Sequence, residues 1–455
     1  MKAVKWVSRI AMLSTVLFTQ GVLAEQTHYV MPDENAPHEG TWLQWPKSSS
    51  WRLDNTWVSM TKALSSGENV HIITHSQQKV SRIKRLLKDA GVDMTKVDFS
   101  VFAIDSYWVR DNGPIFVYDQ QGRLNITDWG FNGWGEKDWY RNDDQIPAKV
   151  GDKLNIDVLN LNDIVLEGGA IEIDGSGTLM ATRSSTLNPN RNPGLTQSEL
   201  EQSLSRYLGV SHFIWLDGTP DEDVTDDHID GIAKFNGDDT IVLIEGARQM
   251  LSDKDYRTIT RAKNARGEAY KIVTIPDLYV NYYVANAVVL VPTYNDPHND
   301  QRAIKTLQQL YPNRKVVGVD GRELLKGGGM LHCVTQQQPL AQLGEQQPEL
   351  EEGLLMQRND LSARRGSELS FTYLLDTNIA QGKVLNFKLS GGRPDADLYV
   401  GRNFRPDFQR HDCGAYQAGN NESCRLPAQP GRYFITIDAW QSFADLGLTV
   451  SLSDK

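Results

Sequence analysis

Residues 69–104 read NVHIITHSQQKVSRIKRLLKDAGVDMTKVDFSVFAI. NVHIITH (69–75) is a short apolar run rich in β-branched residues, the signature of a buried strand. SQQKVSRIKRLLKDAG (76–91) carries Val80, Ile83 and Leu87 at helical spacing on a charged background, and Gly91 ends it. VDFSVFAI (97–104) is the next strand. A strand, an amphipathic helix and a second strand make a β-α-β unit. The same rhythm returns at IVLIEGA (241–247), AVVLVPTY (287–294), QRAIKTLQQLY (301–311) and KVVGV (315–319). It predicts an α/β domain over residues 25–340. No repeat is visible in the sequence itself.

Outside that domain the texture changes. PLAQLGEQQPELEEGLLMQRND (339–360) is rich in Gln, Glu and Leu and lacks strand alternation, so residues 341–361 read as a linker. ELSFTYLL (368–375), KVLNFKLSG (383–391), DADLYVG (395–401), GRYFITIDAW (431–440) and ADLGLTVSLS (444–453) are short alternating strands separated by turns. They predict a small all-β sandwich over residues 362–455. The whole chain of 455 residues thus divides into two folded units.

The first 24 residues read as an export signal. Lys2, Lys5 and Arg9 precede an apolar stretch from Ile10 to Phe18, and Val22 and Ala24 supply a small-residue cleavage site. That stretch is well short of the ~20 residues a membrane span needs. Loss of the three cations takes the formal charge of -11 to -14. No basic tract occurs, which argues against nucleic acid as a partner, and no later segment reads as a membrane span. The expectation is an exported protein, periplasmic or extracellular, in a compartment that permits disulfides. Of the three cysteines, Cys413 and Cys424 flank a turn-forming polar loop and read as a local disulfide. Cys333 is left as a free thiol.

Four clusters combine reactive groups with backbone-shaping residues: WVRDNGP (108–114), EGG (167–169), DDHIDG (226–231) and GGGMLHC (327–333). On a strand His228 and Asp230 share a face, which suits a base beside an ion-pairing group, although a polar strand end with a solvated histidine is the plainer alternative. A calcium loop fails, because its twelfth position is Gly237 rather than Glu. No zinc spacing exists. The glycines before Cys333 are not a phosphate loop, since Lys326 precedes them instead of following. A thiol nucleophile needs a positive neighbour, which His228, His332 or a substrate can supply. Asp111 and Glu167, each beside glycine, can simply cap backbone. Taken together, one thiol, one histidine and three carboxylates describe an acidic pocket around a nucleophile. Such a pocket suits a planar cation that accepts paired carboxylate contacts, a guanidinium.

Eight segments, in order, carry a family resemblance: MPDENAPHEGTWLQWP (31–46), WVRDNGP (108–114), FNGWG (131–135), LEGGAIEIDGSGTL (166–179), LNPNRNP (187–193), HIDGIAKF (228–235), NYYVANAVVLVPTYNDP (281–297) and GGGMLHCVTQQQP (327–339). They resemble the agmatine deiminases and the wider bacterial, Porphyromonas-type peptidylarginine deiminase family. The resemblance implies the pentein fold, a five-bladed α/β propeller, and hydrolysis of a guanidinium to a ureido group and ammonia with no metal and no organic cofactor. It implies Cys333 as nucleophile, His228 as general acid and base, Asp111 and Asp230 as the carboxylates that hold the guanidinium nitrogens, and Trp108 and Glu167 as pocket-lining residues. The C-terminal part resembles the bacterial pre-peptidase C-terminal domain, an accessory sandwich of secreted enzymes.

FNGWG resembles the agmatine branch, and only Arg141 stands where peptide-directed relatives carry an arginine pair. The expected reaction is therefore agmatine and water to N-carbamoylputrescine and ammonia, with citrullination of peptide arginine as the alternative. A non-catalytic binder of cationic ligands is a third reading. A cysteine peptidase built on Cys333 and His228 is a fourth, and it gives Asp111 and Asp230 no task.

Overall fold

The computed structural model describes residues 29–47, 51–120, 122–340, 354–363, 365–366, 368–375, 382–393, 395–402, 404, 406–417, 419–429 and 431–454. The expected export signal lies outside the described residues, as do residues 341–353 of the expected linker.

The quoted stretch folds as read. β1 (His38–Gln44) is followed by β2 (Asn69–Thr74), the helix Gln77–Asp89 and β3 (Val97–Val101). Ser76 caps the helix by accepting from the Lys79 N–H, and Val80, Ile83 and Leu87 bury its inner face. Gly91, at φ 72°, takes the left-handed conformation that ends it.

The remaining strands of the α/β unit come in threes. They are β4 (Ile115–Tyr118), β5 (Leu124–Gly130) and β6 (Val158–Val165), then β7 (Ile171–Ile173), β8 (Thr178–Thr182) and β9 (His212–Leu216). Next are β10 (Ala233–Asn236), β11 (Thr240–Ile244) and β12 (Lys271–Ile275), and finally β13 (Tyr283–Val284), β14 (Val288–Thr293) and β15 (Lys315–Asp320). β16 (Gln336–Pro339) returns to pair with β1, in the order β16-β1-β2-β3.

Every sheet obeys one rule. Its first strand is antiparallel to the second, and the second is parallel to the third. A parallel pair needs a crossover, and a helix supplies it each time: Trp51–Leu64 and Gln77–Asp89 in the four-stranded first sheet, then Ile146–Leu154, Gln197–Leu208, Asp253–Thr260 and Pro297–Leu310. These are the five blades of an α/β propeller. The first blade is made from both ends of the unit, and Trp42 Nε1 donates to Gln338 Oε1 at 2.9 Å across the join.

The C-terminal unit is the expected all-β sandwich. One sheet runs β17-β24-β19-β22 and the other β18-β23-β20-β21. These strands are β17 (Leu354–Ala363), β18 (Glu368–Leu375), β19 (Lys383–Arg393), β20 (Asp397–Arg402), β21 (Cys413–Ala415), β22 (Ser423–Pro427), β23 (Gly431–Asp438) and β24 (Phe443–Asp454). Leu385, Phe387 and Leu389, with Leu446, Leu448 and Val450, face Leu398, Val400, Ile435 and Ile437 in the core, each set spaced by two. The expected linker is corrected here: residues 354–361 belong to β17. Register shifts at three points along its pairing with β24 break the period of two, which is why the segment shows no strand alternation in sequence.

Cys413 and Cys424 are bonded, with Cα atoms 5.7 Å apart. The bond joins the edge strand of one sheet to the edge strand of the other. Replacing both with alanine is expected to cost the sandwich about 3 kcal/mol. Urea unfolding followed by the sandwich's own signal checks this. The variant's midpoint should coincide with that of the reduced parent and lie below that of the oxidised parent.

Candidate active site

A short turn leads into the first strand of every blade. Val109–Asn112 precedes β4, Gly168–Ala170 precedes β7, Ile229–Gly231 precedes β10, residues 277–280 precede β13, and His332–Val334 precedes β16. Each turn delivers a polar side chain to the same place: Asp111, Glu167, His228 with Asp230, Asn281, and Cys333. The sequence expectation that His228 and Asp230 sit on a strand is corrected, since they flank and enter a single helical turn, yet both still face one space.

Gly169 measures that space. A Cβ built on it would fall 2.7 Å from His228 Nδ1, 2.8 Å from Asp111 Oδ1 and 3.1 Å from Asp230 Oδ2. The three groups converge on one point, which only a residue without a side chain leaves open. Cys333 Sγ lies 3.7 Å from Asp230 Oδ2, and Asn281 Nδ2 donates to it at 3.4 Å. Asn281 also accepts the His332 N–H at 2.9 Å, so it fixes the turn that carries the thiol.

His228 presents Nδ1 to the pocket, 3.7 Å from Asp111 Oδ1, and contacts Glu167 Oε2 through Nε2 at 2.8 Å. Glu167 stands behind the histidine. Arg191 grips it with Nε at 3.0 Å and reaches Asp226 with Nη1. Asp226, the first residue of the third cluster, is thus an ion-pair partner, also held by Lys137 at 2.8 Å. His332 turns away from the thiol, with Nδ1 2.7 Å from Asp230 Oδ2 and Nε2 2.8 Å from Glu34 Oε2. Trp108 lies against the glycine run, where a Cβ on Gly329 would come within 2.5 Å of its ring.

The electrostatics follow from burial of many carboxylates. Asp111 accepts from Trp134 Nε1 at 2.9 Å and from the Gly169 N–H at 3.0 Å, but no cation of the protein is within hydrogen-bond reach of it. Burial first, then repulsion from Asp230 and Glu167, outweighs the attraction of His228 and pushes its carboxyl up to about 6. Burial disfavours the His228 imidazolium, yet Asp111, Glu167 and Asp230 outweigh it and raise the histidine to about 9. Burial and then the charges of Asp230 and Asp111 push the Cys333 thiol well above its ordinary value. Burial also opposes the charge of Asp230 and Glu167. His332 holds the first, and His228 with Arg191 the second, below the usual carboxylate range. Among the described residues no group of three or more His, Cys, Asp or Glu is arranged to hold a metal ion.

Sequence reasoning missed Asn281, Arg191 and Glu34. All three lie in segments singled out by resemblance, but none stands beside a glycine, histidine or cysteine that would mark it.

The chain matches the family described as Porphyromonas-type peptidyl-arginine deiminase over residues 30–339, and the bacterial pre-peptidase C-terminal domain over residues 377–439. It is similar to the agmatine deiminase of Stutzerimonas stutzeri, 33% identical over 365 residues that cover 69% of this chain and 96% of that protein. Among solved structures it is similar to the agmatine deiminase of Enterococcus faecalis, with a TM-score of 0.61, 28% identity, and coverage of 70% of this chain and 98% of that one. It is also similar to a cysteine-to-serine variant of C. jejuni agmatine deiminase with substrate bound, with a TM-score of 0.60, 26% identity, and coverage of 71% and 99%.

Arg191 offers a check on the architecture. Its side chain is 1% exposed and compensates both Glu167 and Asp226. Arg191→Met is expected to destabilise the propeller by about 3 kcal/mol, the cost of leaving buried charge short of a partner. Denaturant unfolding of the parent and variant measures it.

Proposed function

This chain belongs to the Porphyromonas-type peptidyl-arginine deiminase family and is a hydrolase of guanidino C–N bonds, and from that premise we propose that it deiminates agmatine with Cys333 as nucleophile. The observation that carries the reading is Asp111: a buried carboxylate with no protein cation in hydrogen-bond contact, beside Asp230 and next to a thiol.

The guanidinium enters with its nitrogens on Asp111 and Asp230. Its charge relieves the repulsion that keeps the Cys333 thiol protonated, and the thiol proton leaves to solvent. The thiolate attacks the central carbon, giving a tetrahedral adduct. His228 gives its Nδ1 proton to one terminal nitrogen, the C–N bond breaks, and ammonia departs. A thiouronium remains on Cys333. His228, now neutral, takes a proton from water as that water attacks the carbon, and the C–S bond breaks as the adduct's hydroxyl proton passes to the departing Cys333 sulfur, which releases N-carbamoylputrescine. Glu167, held by Arg191, keeps the imidazole oriented throughout. The cysteine-to-serine C. jejuni structure, which retains bound substrate, supports the assignment of the nucleophile. Peptide arginine is the second reading. It is favoured by the match to the Porphyromonas-type peptidyl-arginine deiminase family.

The reading includes export. The basic, apolar and small-residue pattern of residues 1–24 and the Cys413–Cys424 bond both support an oxidising compartment.

Ammonia release from agmatine, free arginine and an arginine peptide tests the substrate. Agmatine is expected to have the highest kcat/KM. Higher turnover of the peptide would replace agmatine by the second reading. Cys333→Ala should lower kcat by roughly 10⁴-fold or more. The pH profile of kcat/KM follows from two signs. Asp111 must be charged to bind the cation, so activity falls as pH drops through about 6. His228 must be protonated to act as acid while Cys333 must lose its proton, so the rise of activity with pH should stop at about 9, where loss of the His228 proton offsets the gain in thiolate. A rate that keeps climbing above pH 9 would contradict the role given to His228.

A further inference from the structure

Glu34 lies before the first strand, in a segment tied down by the Val30–Tyr118 bridge and by Met31 N–H to Leu208 O at 3.0 Å. Its carboxylate reaches His332 Nε2 at 2.8 Å, Lys234 Nζ at 3.3 Å, Arg110 Nη2 at 3.5 Å and the Val284 N–H at 2.8 Å. Lys234 continues to Glu172 at 2.8 Å. His332, Arg110, Glu172, Lys234 and Val284 come from the five different blades. The reaction described above has no step for any of these groups. His332 connects them to it by direct contact. Its Nδ1 contacts Asp230 Oδ2, the same oxygen that the Cys333 thiol approaches. Carboxylates accept and cannot donate, so each of the two contacts takes a ring N–H.

We propose that His332 is a positioning residue. Anchored on Glu34, it holds Asp230 by Oδ2, the oxygen that faces Gly169 and the thiol, and so fixes the carboxylate's orientation toward a guanidinium and keeps the substrate's carbon in line with Cys333. Glu34 and the N-terminal segment thereby become part of the guanidinium site without touching the substrate. The proposal rests on the deiminase reading.

Two substitutions split the histidine's functions. The amide of His332→Asn falls near the place of Nδ1 and keeps a donor for Asp230. The amide of His332→Gln falls near the place of Nε2 and keeps only the contact with Glu34. Kinetics on the best of the three guanidines, with thermal midpoints alongside, read the difference. For His332→Gln, kcat/KM is expected to fall about 100-fold, most of it as a rise in KM. For His332→Asn the fall should be less than about tenfold. Equal losses in both variants, or parental KM in both, overturn the proposal, because a role in packing alone would not tell the two amides apart. Should His332→Gln fail to fold, Glu34→Gln takes its place. It keeps a carbonyl to accept from the ring while removing the charge. A KM raised at least about threefold at a parental thermal midpoint supports the anchor, and an unchanged KM overturns it. An inactive parent would defeat the deiminase reading and this proposal with it, whereas an active parent with indistinguishable variants defeats only the role of His332.

Discussion

The structure depends on the burial of anions. Glu34, Asp111, Glu167, Glu172, Asp226 and Asp230 gather around one axis in surroundings where an uncompensated charge is strongly disfavoured. Five of the six meet Arg110, Arg191, Lys234, His228 or His332 in direct contact. Asp111 has only the more distant His228, 3.7 Å away and shared with Glu167, and its raised carboxyl records that shortage. A ligand that brings a delocalised positive charge to this point completes a set that the protein leaves one member short. Recognition and thiol activation then have one origin: the cation that compensates Asp111 and Asp230 also removes the field that holds the Cys333 proton.

The backbone that makes this possible is nearly symmetric and the side chains are not. Each blade ends its preceding connection in one turn and then starts a strand antiparallel to the next. That plan places five turns around one point. Each turn carries a different group: Asp111, Glu167, His228 with Asp230, Asn281 and Cys333. Repetition therefore survives in hydrogen-bond pattern and strand order while leaving no periodicity in sequence, since the shared requirement is a backbone shape that many residues satisfy.

This explains what was legible beforehand. The β-α-β stretch at 69–104 shows its strands and helix because apolar spacing reports directly on burial. Asp111, Glu167, His228, Asp230 and Cys333 stand out because reactive groups lie beside glycines or one another. Asn281 is flanked by two tyrosines and an apolar strand, so nothing local marks its contact with the thiol. Glu34 reads as a loop acid, and its partners are up to 298 residues away in the chain. Arg191 sits among asparagines and prolines that signal only a turn. β17 was hidden for a different reason: its bulges destroy the alternation on which strand recognition rests, and the pairing with β24 that restores it is remote in sequence.

The first blade, assembled from β1 and β16, has a consequence for the three thiols. In an extended chain any two of Cys333, Cys413 and Cys424 can meet an oxidant and join. Cys333 belongs to the turn that enters β16, so closing the propeller ring fixes it, half-buried, in the central site. Cys424 is fully buried in a core that forms separately. The folded chain therefore keeps one pairing and one free thiol, and a cross-link from Cys333 to either partner would tie the turn that enters β16 to a strand of the sandwich.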